Sequence, residues 1–280
     1  MRSVRLEEVT EVVARLYWEA ARSPDPGLEA ALKAGREREE SEAGRAVLDD
    51  LIENLRLAGE SGSPPCQDTG TAVVFLELGQ DLTVEGGDLR EAVDEGVRRA
   101  VREGSLRSST VADPLRRENT GDNAPAVLHL EIVPGDRLQV SVAAKGAGSE
   151  NMSALKMLTP AAGAEEIAEF AAGTVEKAGA SACPPVVVGI GIGGNFEIAP
   201  LLAKKALLRP LGERNPDPFY AALEEKVIER VDRTGVGPGG LGGRFTCLDC
   251  RILAAPCHIA SLPVAVNLDC CLPRHQTALL

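Results

Sequence analysis

The chain has 280 residues, with 42 acidic against 30 Lys and Arg side chains, a formal net charge of −12. So acidic a balance argues against a nucleic-acid or anionic-membrane surface, which needs clustered cations to displace counterions, but not against a small anionic substrate held by a few local cations. Hydrophobic residues make up 44% and aromatics only 3%, so a sizeable core is expected from Val, Leu, Ile and Ala, and no run of about 18 apolar residues suggests a membrane span.

Residues 6–23 carry Leu6, Val9, Val12, Val13, Leu16 and Tyr17 at helical spacing and end before Pro24. Residues 27–58 read as a second helix, with Leu48, Leu51, Ile52 and Leu55 as its buried stripe. Ser61-Gly62-Ser63-Pro64-Pro65 breaks it and delivers Cys66. Residues 71–78 predict a strand and 88–102 a helix. The apolar runs 126–133 and 138–144, joined by Pro134-Gly135-Asp136-Arg137, predict a hairpin. Residues 161–178 read as helix, 185–192 as a buried strand, and 197–208 and 218–231 as helices. The apolar runs 245–254 and 262–268 follow. The expectation is a mixed α and β fold over 1–280 as a single domain. A helical N-terminal portion, 1–60, precedes small β-sheets flanked by helices.

Seven cysteines, an odd number without a signal-peptide pattern, read as cytoplasmic thiols or ligands rather than a disulfide framework. Cys66, Cys183 and Cys270 lie beside turn-forming or polar residues, where a loop exposes sulfur and offers N–H groups to a thiolate. In Cys66-Gln67-Asp68-Thr69-Gly70 the alternative is an Asx-turn in which Asp68 bonds its own backbone. Lys145-Gly146-Ala147-Gly148-Ser149-Glu150-Asn151 is either an anion-binding loop or a plain strand-to-helix turn. Gly189, Gly191 and Gly194 satisfy the letter of a dinucleotide fingerprint but lack its context, so they read as sites of close backbone packing. Cys247, Cys250, Cys257 and His258 suggest a zinc-binding scaffold, which we set aside. On a strand, positions three apart face opposite sides, and no second C-x-x-C completes the set. The lone His258 has an ordinary structural role as its default reading.

Taken in order, these motifs resemble the class I, iron–sulfur fumarate hydratases and their tartrate dehydratase relatives. The likeness runs from about residue 64 to 275. It includes Pro65 to Gly70, Leu106-Arg107-Ser108, Asn119-Thr120-Gly121-Asp122-Asn123-Ala124-Pro125, Lys145 to Asn151, Cys183-Pro184-Pro185, Gly189 to Gly194, His258 to Ala265, and Cys270 before Arg274-His275. The first 60 residues match loosely. The resemblance implies a [4Fe-4S] cluster on Cys66, Cys183 and Cys270 with one iron open to substrate. It implies Gln67, Arg107 and Gly148 as substrate contacts, with Asp68 and His258 in catalytic positions. Because the chain stops at Leu280, it resembles an α subunit that works with a separate β subunit, in an α2β2 assembly. The expected reaction is hydration of fumarate to (S)-malate, with dehydration of L-tartrate or a related diacid as the alternative.

Overall fold

A computed structural model describes residues 2–280. In chain order its elements are β1 (Arg2–Arg5), α1 (Leu6–Arg22), α2 (Leu28–Arg38), α3 (Glu42–Ser61), β2 (Thr71–Gly79), β3 (Leu82–Glu85), α4 (Leu89–Gly104), β4 (Val127–Val133), β5 (Leu138–Lys145) and α5 (Ala147–Glu150). There follow β6 (Ala154–Leu158), α6 (Ala164–Ala178), β7 (Val186–Gly194), α7 (Ile198–Ala206), α8 (Pro218–Arg233), β8 (Cys247–Cys257), β9 (Leu262–Asp269) and β10 (His275–Leu279). The mixed α and β class expected from the sequence is the one observed. No helix among the described residues is long and apolar enough to cross a membrane. The chain forms two compact units. One comprises Met1–Pro24, Ala58–Ala147 and Arg274–Leu280; the other comprises Asp25–Leu57 and Gly148–Pro273.

In the first unit a four-stranded sheet has the order β10-β5-β2-β4. Val74, Leu76, Val140 and Val142 join Val9, Val13 and Leu16 of α1 and Val93 and Val97 of α4 in one apolar cluster. Each such side chain, fully buried, contributes roughly 1.5–3 kcal/mol. Gly96 lets the two helices meet, because a Cβ there would stand 2.8 Å from the Thr10 carbonyl oxygen. Asp88 caps α4, its carboxylate accepting from Arg90 and Glu91 N–H. The hairpin expected from 126–144 does not form. β2 inserts between its strands, parallel to β4 and antiparallel to β5. The chain end after β2 enforces this arrangement: Gln80 N–H donates to the Val133 carbonyl and Gly79 N–H to that of Arg137.

In the second unit the sheet order is β6-β9-β7-β8. Val186, Val188 and Ile190 pack with Ile167, Ala171 and Val175 of α6 and Val227 and Val231 of α8. On the opposite face α7 lies directly on the backbone of β7. A Cβ on Gly189 would stand 2.3 Å from the Ala203 carbonyl oxygen, and one on Gly191 2.0 Å from that of Ala199. The glycine run is therefore a packing surface for a helix, as its missing nucleotide-binding context suggests.

The single helix expected over 27–58 is two. Glu39 turns extended, at φ −72° and ψ 132°. Although fully buried, its carboxylate accepts the N–H groups of Glu40, Ser41, Arg244 and Phe245, each at 2.8 Å. The Ser41 hydroxyl then caps α3 at Gly44 N–H, 3.2 Å away. Of the anticipated stripe only Leu48 is fully buried; Leu51, Ile52 and Leu55 are half-buried. Burial opposes ionisation of Glu39, yet the backbone donors prevail and hold its carboxyl below the usual range. Its stabilising effect is thus present above the unfolded pKa and is lost as pH falls through the lower folded one. Glu39→Ala should cost on the order of 3 kcal/mol at neutral pH, read from urea denaturation, with the difference from wild type shrinking in acid.

Candidate active site

In the first unit the loop before β2 is built around Asp68. The Asp68 N–H donates to Cys66 Sγ at 3.4 Å. The Asp68 Oδ1 accepts from Gly70 N–H at 2.9 Å and from the Ser109 hydroxyl at 3.3 Å. Its Oδ2 accepts from Ala147 N–H at 3.0 Å. The Asx-turn weighed from sequence is present, and the same carboxylate also ties down the start of the glycine-bearing loop. Gly70, at φ +77°, is required here, since a Cβ would stand 2.5 Å from the Lys145 backbone. Arg274, 3% exposed, donates from Nη1 to the Asp68 carbonyl at 2.5 Å, while its Nε–H has no hydrogen-bond partner.

A buried polar chain joins this loop to the one carrying Arg107. Tyr17 donates its hydroxyl to the Gly70 carbonyl at 2.9 Å and receives Asn123 Nδ2 at 3.4 Å. The same Nδ2 donates to the Arg107 carbonyl at 3.0 Å, and Asn123 Oδ1 accepts from Ser109 and Thr110 N–H. Asn123 is fully buried with φ +59°, a conformation Asn tolerates better than most residues. Burial pushes the Tyr17 hydroxyl pKa up, so it stays protonated and available as a donor. Arg107 and Gln67 are exposed, and Cys66 is half-buried. Sequence reasoning placed Tyr17 only in a helical stripe and gave Asn123 no role. The signal was polar: a hydroxyl at the inward face of α1 and a buried amide each need partners.

In the second unit a turn of 3-10 helix, Gly179–Ala182, delivers Cys183 in the left-handed region at φ 53° and ψ 62°. Cys183 is exposed. Its carbonyl accepts the Cys271 N–H at 3.0 Å, so the backbone beside Cys270 is fastened to Cys183 itself. Cys270 is half-buried and Cys271 buried. Gly239 N–H donates to the Pro184 carbonyl at 2.8 Å, and a Cβ on Gly240 would stand 2.6 Å from Ala180 Cα. A Cβ on Gly148 would stand 3.1 Å from the Ser181 carbonyl oxygen. The run Gly235 to Gly243, with positive φ at Gly235, Gly237, Gly239, Gly240, Gly242 and Gly243, went unread in the sequence. It forms the bed on which the Cys183 turn rests.

His258 occupies the exposed turn between β8 and β9. Its Nδ1 accepts Ala260 N–H at 3.1 Å, which leaves the neutral ring's proton on Nε2. Cys247 and Cys250 are buried on one side of β8, among Ile167, Val188 and Val227. The reason given for setting zinc aside, opposite strand faces, is overturned. A bulge between Val186 and Val187, which pair with Cys247 and Asp249, brings both thiols to the same face. Burial pushes both pKa values up, so these sulfurs behave as core groups rather than thiolate ligands.

The model of the family described as fumarate hydratase (Fumerase) matches residues 10–279. The chain belongs to this family. It is 42% identical over 269 residues to a protein of Methanocaldococcus jannaschii named putative L(+)-tartrate dehydratase subunit alpha, covering 94% of each chain. It is 32% identical over 280 residues to the L(+)-tartrate dehydratase subunit alpha of Escherichia coli O157:H7, covering 98% of this chain and 91% of that one. The α subunit of the K12 strain is likewise 32% identical, over 279 residues.

For a member of the fumarate hydratase family, the three loop cysteines divide between the units, with Cys66 in the first and Cys183 and Cys270 in the second. Among the described residues no three His, Cys, Asp or Glu side chains form a metal-holding group. The donor set itself suits an iron–sulfur cluster. These cysteines stand on polar loops rather than in the core, Cys66 Sγ receives a backbone N–H, and the Cys183 carbonyl accepts the N–H of Cys271, the residue after Cys270.

Two outcomes test this scaffold. Tyr17→Phe should cost about 1–3 kcal/mol in denaturant stability, because the Gly70 carbonyl loses its donor. Gly240→Ala should cost clearly more than Gly212→Ala. Both glycines have positive φ, but a Cβ on Gly212 meets nothing within 4 Å. The difference between the two melting curves isolates the contact with the Cys183 turn.

Proposed function

We propose that this chain is the α subunit of an iron–sulfur hydro-lyase that removes water from L-tartrate, acting with a separate β subunit. The observation that carries the reading is end-to-end similarity to chains named as tartrate dehydratase α subunits. Interconversion of fumarate and (S)-malate, ranked first on sequence alone, is the second reading, supported by the family description. The two share one chemistry: loss of a hydroxyl from one carbon and of a proton from its neighbour, in a four-carbon diacid.

In this reading Cys66, Cys183 and Cys270 hold a [4Fe-4S] cluster. When bound, the cluster supplies an open iron as a Lewis acid for the departing hydroxyl. This chain's own residues bind and orient. The exposed Arg107 guanidinium takes a substrate carboxylate through its forked donors. Gln67, next to the cluster cysteine, hydrogen-bonds a substrate oxygen, and Gly148 offers a backbone N–H where a larger residue would crowd Ser181. Asp68 shapes the loop with three of the roughly four acceptor positions on its carboxylate. The remaining position is available to a substrate hydroxyl. His258 serves as a hydrogen-bond donor through Nε2, since Nδ1 is engaged in its own turn. The base that removes the carbon-bound proton comes from the β subunit, as do further carboxylate-binding cations.

Two experiments test the proposal. Cys66→Ser, Cys183→Ser and Cys270→Ser should each abolish stoichiometric iron and sulfide after anaerobic reconstitution, whereas Cys247→Ser, Cys250→Ser and Cys271→Ser should retain them. Zinc without sulfide in the wild-type chain would falsify the cluster. Steady-state rates on L-tartrate, (S)-malate and fumarate should favour tartrate for the complex with its β subunit and be negligible for the isolated α chain. A preference for (S)-malate and fumarate would move the second reading into first place.

A further inference from the structure

In the second unit, β9 alternates between two environments. Val266 and Leu268 enter the apolar cluster formed with α6 and α8, so Asn267 between them faces the other side of the sheet, where α7 lies. Asn267 is only 6% exposed, and an amide so enclosed needs partners for its donors. Both partners come from the segment 148–153. Asn267 Nδ2 donates to Glu150 Oε2 at 2.9 Å and to the Ser153 hydroxyl at 3.0 Å. Chemistry fixes this orientation of the amide: turned over, it would set its oxygen against the Glu150 carboxylate.

The two acceptors are themselves committed. Glu150 Oε1 receives Lys204 Nζ of α7 at 2.5 Å. The Ser153 hydroxyl donates to the Ser149 carbonyl at 3.3 Å and accepts Leu268 N–H at 3.1 Å, past the last pair of β6 with β9, Ala154 with Val266. With the Asn267 bond its one proton and both lone pairs are used. The segment is thus bound to β9 and α7 at one end. At the other, Gly148 rests against the turn that carries Cys183, where a Cβ would stand 3.1 Å from the Ser181 carbonyl oxygen. Between these ends α5 is a single turn of four residues, too short to sustain itself, so its position is set by what it is tied to.

We propose that Asn267 is the positioning residue of the 148–153 loop. It fixes Glu150 and Ser153 against the sheet, and through them the place at which Gly148 presents its backbone N–H to substrate. The substrate contact of Gly148 rests on the hydro-lyase reading above; the bonds made by Asn267 do not.

Hydrogen–deuterium exchange of the full chain is the first test. In Asn267→Asp a carboxylate faces Glu150, and the amides of 148–153 should exchange about fivefold faster or more than in wild type. Those of α8, packed on the opposite face of the sheet, should keep the wild-type rate. Glu150→Gln alone should also loosen the segment. Combined with Asn267→Asp, it exchanges donor for acceptor, keeps the charge beside Lys204, and should return exchange to near the wild-type rate. In the complex with the β subunit, Asn267→Asp should raise KM for the diacid about fivefold with kcat changed far less, at unchanged iron and sulfide content, and the double variant should restore it. Four results would each overturn the proposal: unchanged exchange at 148–153, acceleration that extends equally to α8, a double variant no slower in exchange than Asn267→Asp, or an unaltered KM. A wild-type complex inactive on tartrate, malate and fumarate would instead sink the reaction assigned above, and the exchange comparison would then decide the role of Asn267.

Discussion

The left-handed backbone at Cys183 is the constraint around which the second unit's loops are organised. A β-carbon makes that conformation costly for any residue but glycine, by about 1–3 kcal/mol, so neighbouring structure must hold it. Three segments do so. The glycine run 235–243 supports the turn from Gly239 and Gly240, the Cys271 N–H fixes the Cys183 carbonyl, and Gly148 closes on Ser181. The contacts are made by backbone, and at Gly240 a Cβ would stand only 2.6 Å from Ala180 Cα. The result is an exposed sulfur on a rigid support, the condition a ligand needs if it is to meet its metal without reorganising.

The first unit solves the same problem with side chains. Its loops at Cys66 and Arg107 are irregular, and their backbone groups need partners that no sheet supplies. Asp68, Tyr17 and Asn123 provide them. The chain of bonds from the Gly70 carbonyl through Tyr17 and Asn123 to the Arg107 carbonyl makes the position of one loop depend on the other. Substituting a buried member leaves its partners without water or protein to satisfy them, so the network favours a single arrangement over many.

The sequence was most legible where one chemical signal dominates. Amphipathic periodicity located α1, α4, α6 and α8, and the polar settings of Cys66, Cys183 and Cys270 separated them from core thiols. Pairing was harder to read, because adjacent apolar runs such as 127–133 and 138–145 suggest a hairpin, whereas β2, some fifty residues earlier, separates them. Short strands such as β3 and β6 carry too few residues to show a period. The break at Glu39 was hidden because glutamate is an excellent helix former, and only its four backbone donors explain why the helix stops. The roles of Tyr17 and Gly240 depend on contacts distant in sequence, which local patterns do not encode.

The cysteines show how environment, rather than spacing, sorts residues of one type. Cys247 and Cys250 have the C-x-x-C spacing of a metal site, and the β-bulge even sets them on one face. That face, however, is packed by α6 and α8, and a sulfur there would have to ionise without water or donors. Cys270 and Cys271 are adjacent, yet one is half-buried while the other is withdrawn and gives its N–H to the Cys183 carbonyl. The amide beside Cys270 is thereby committed to holding a second loop cysteine. A thiolate becomes a usable ligand only when its desolvation is offset by donors and its position is fixed by something else. In this chain burial denies those conditions to Cys247 and Cys250, the pair whose spacing looks most like a metal motif.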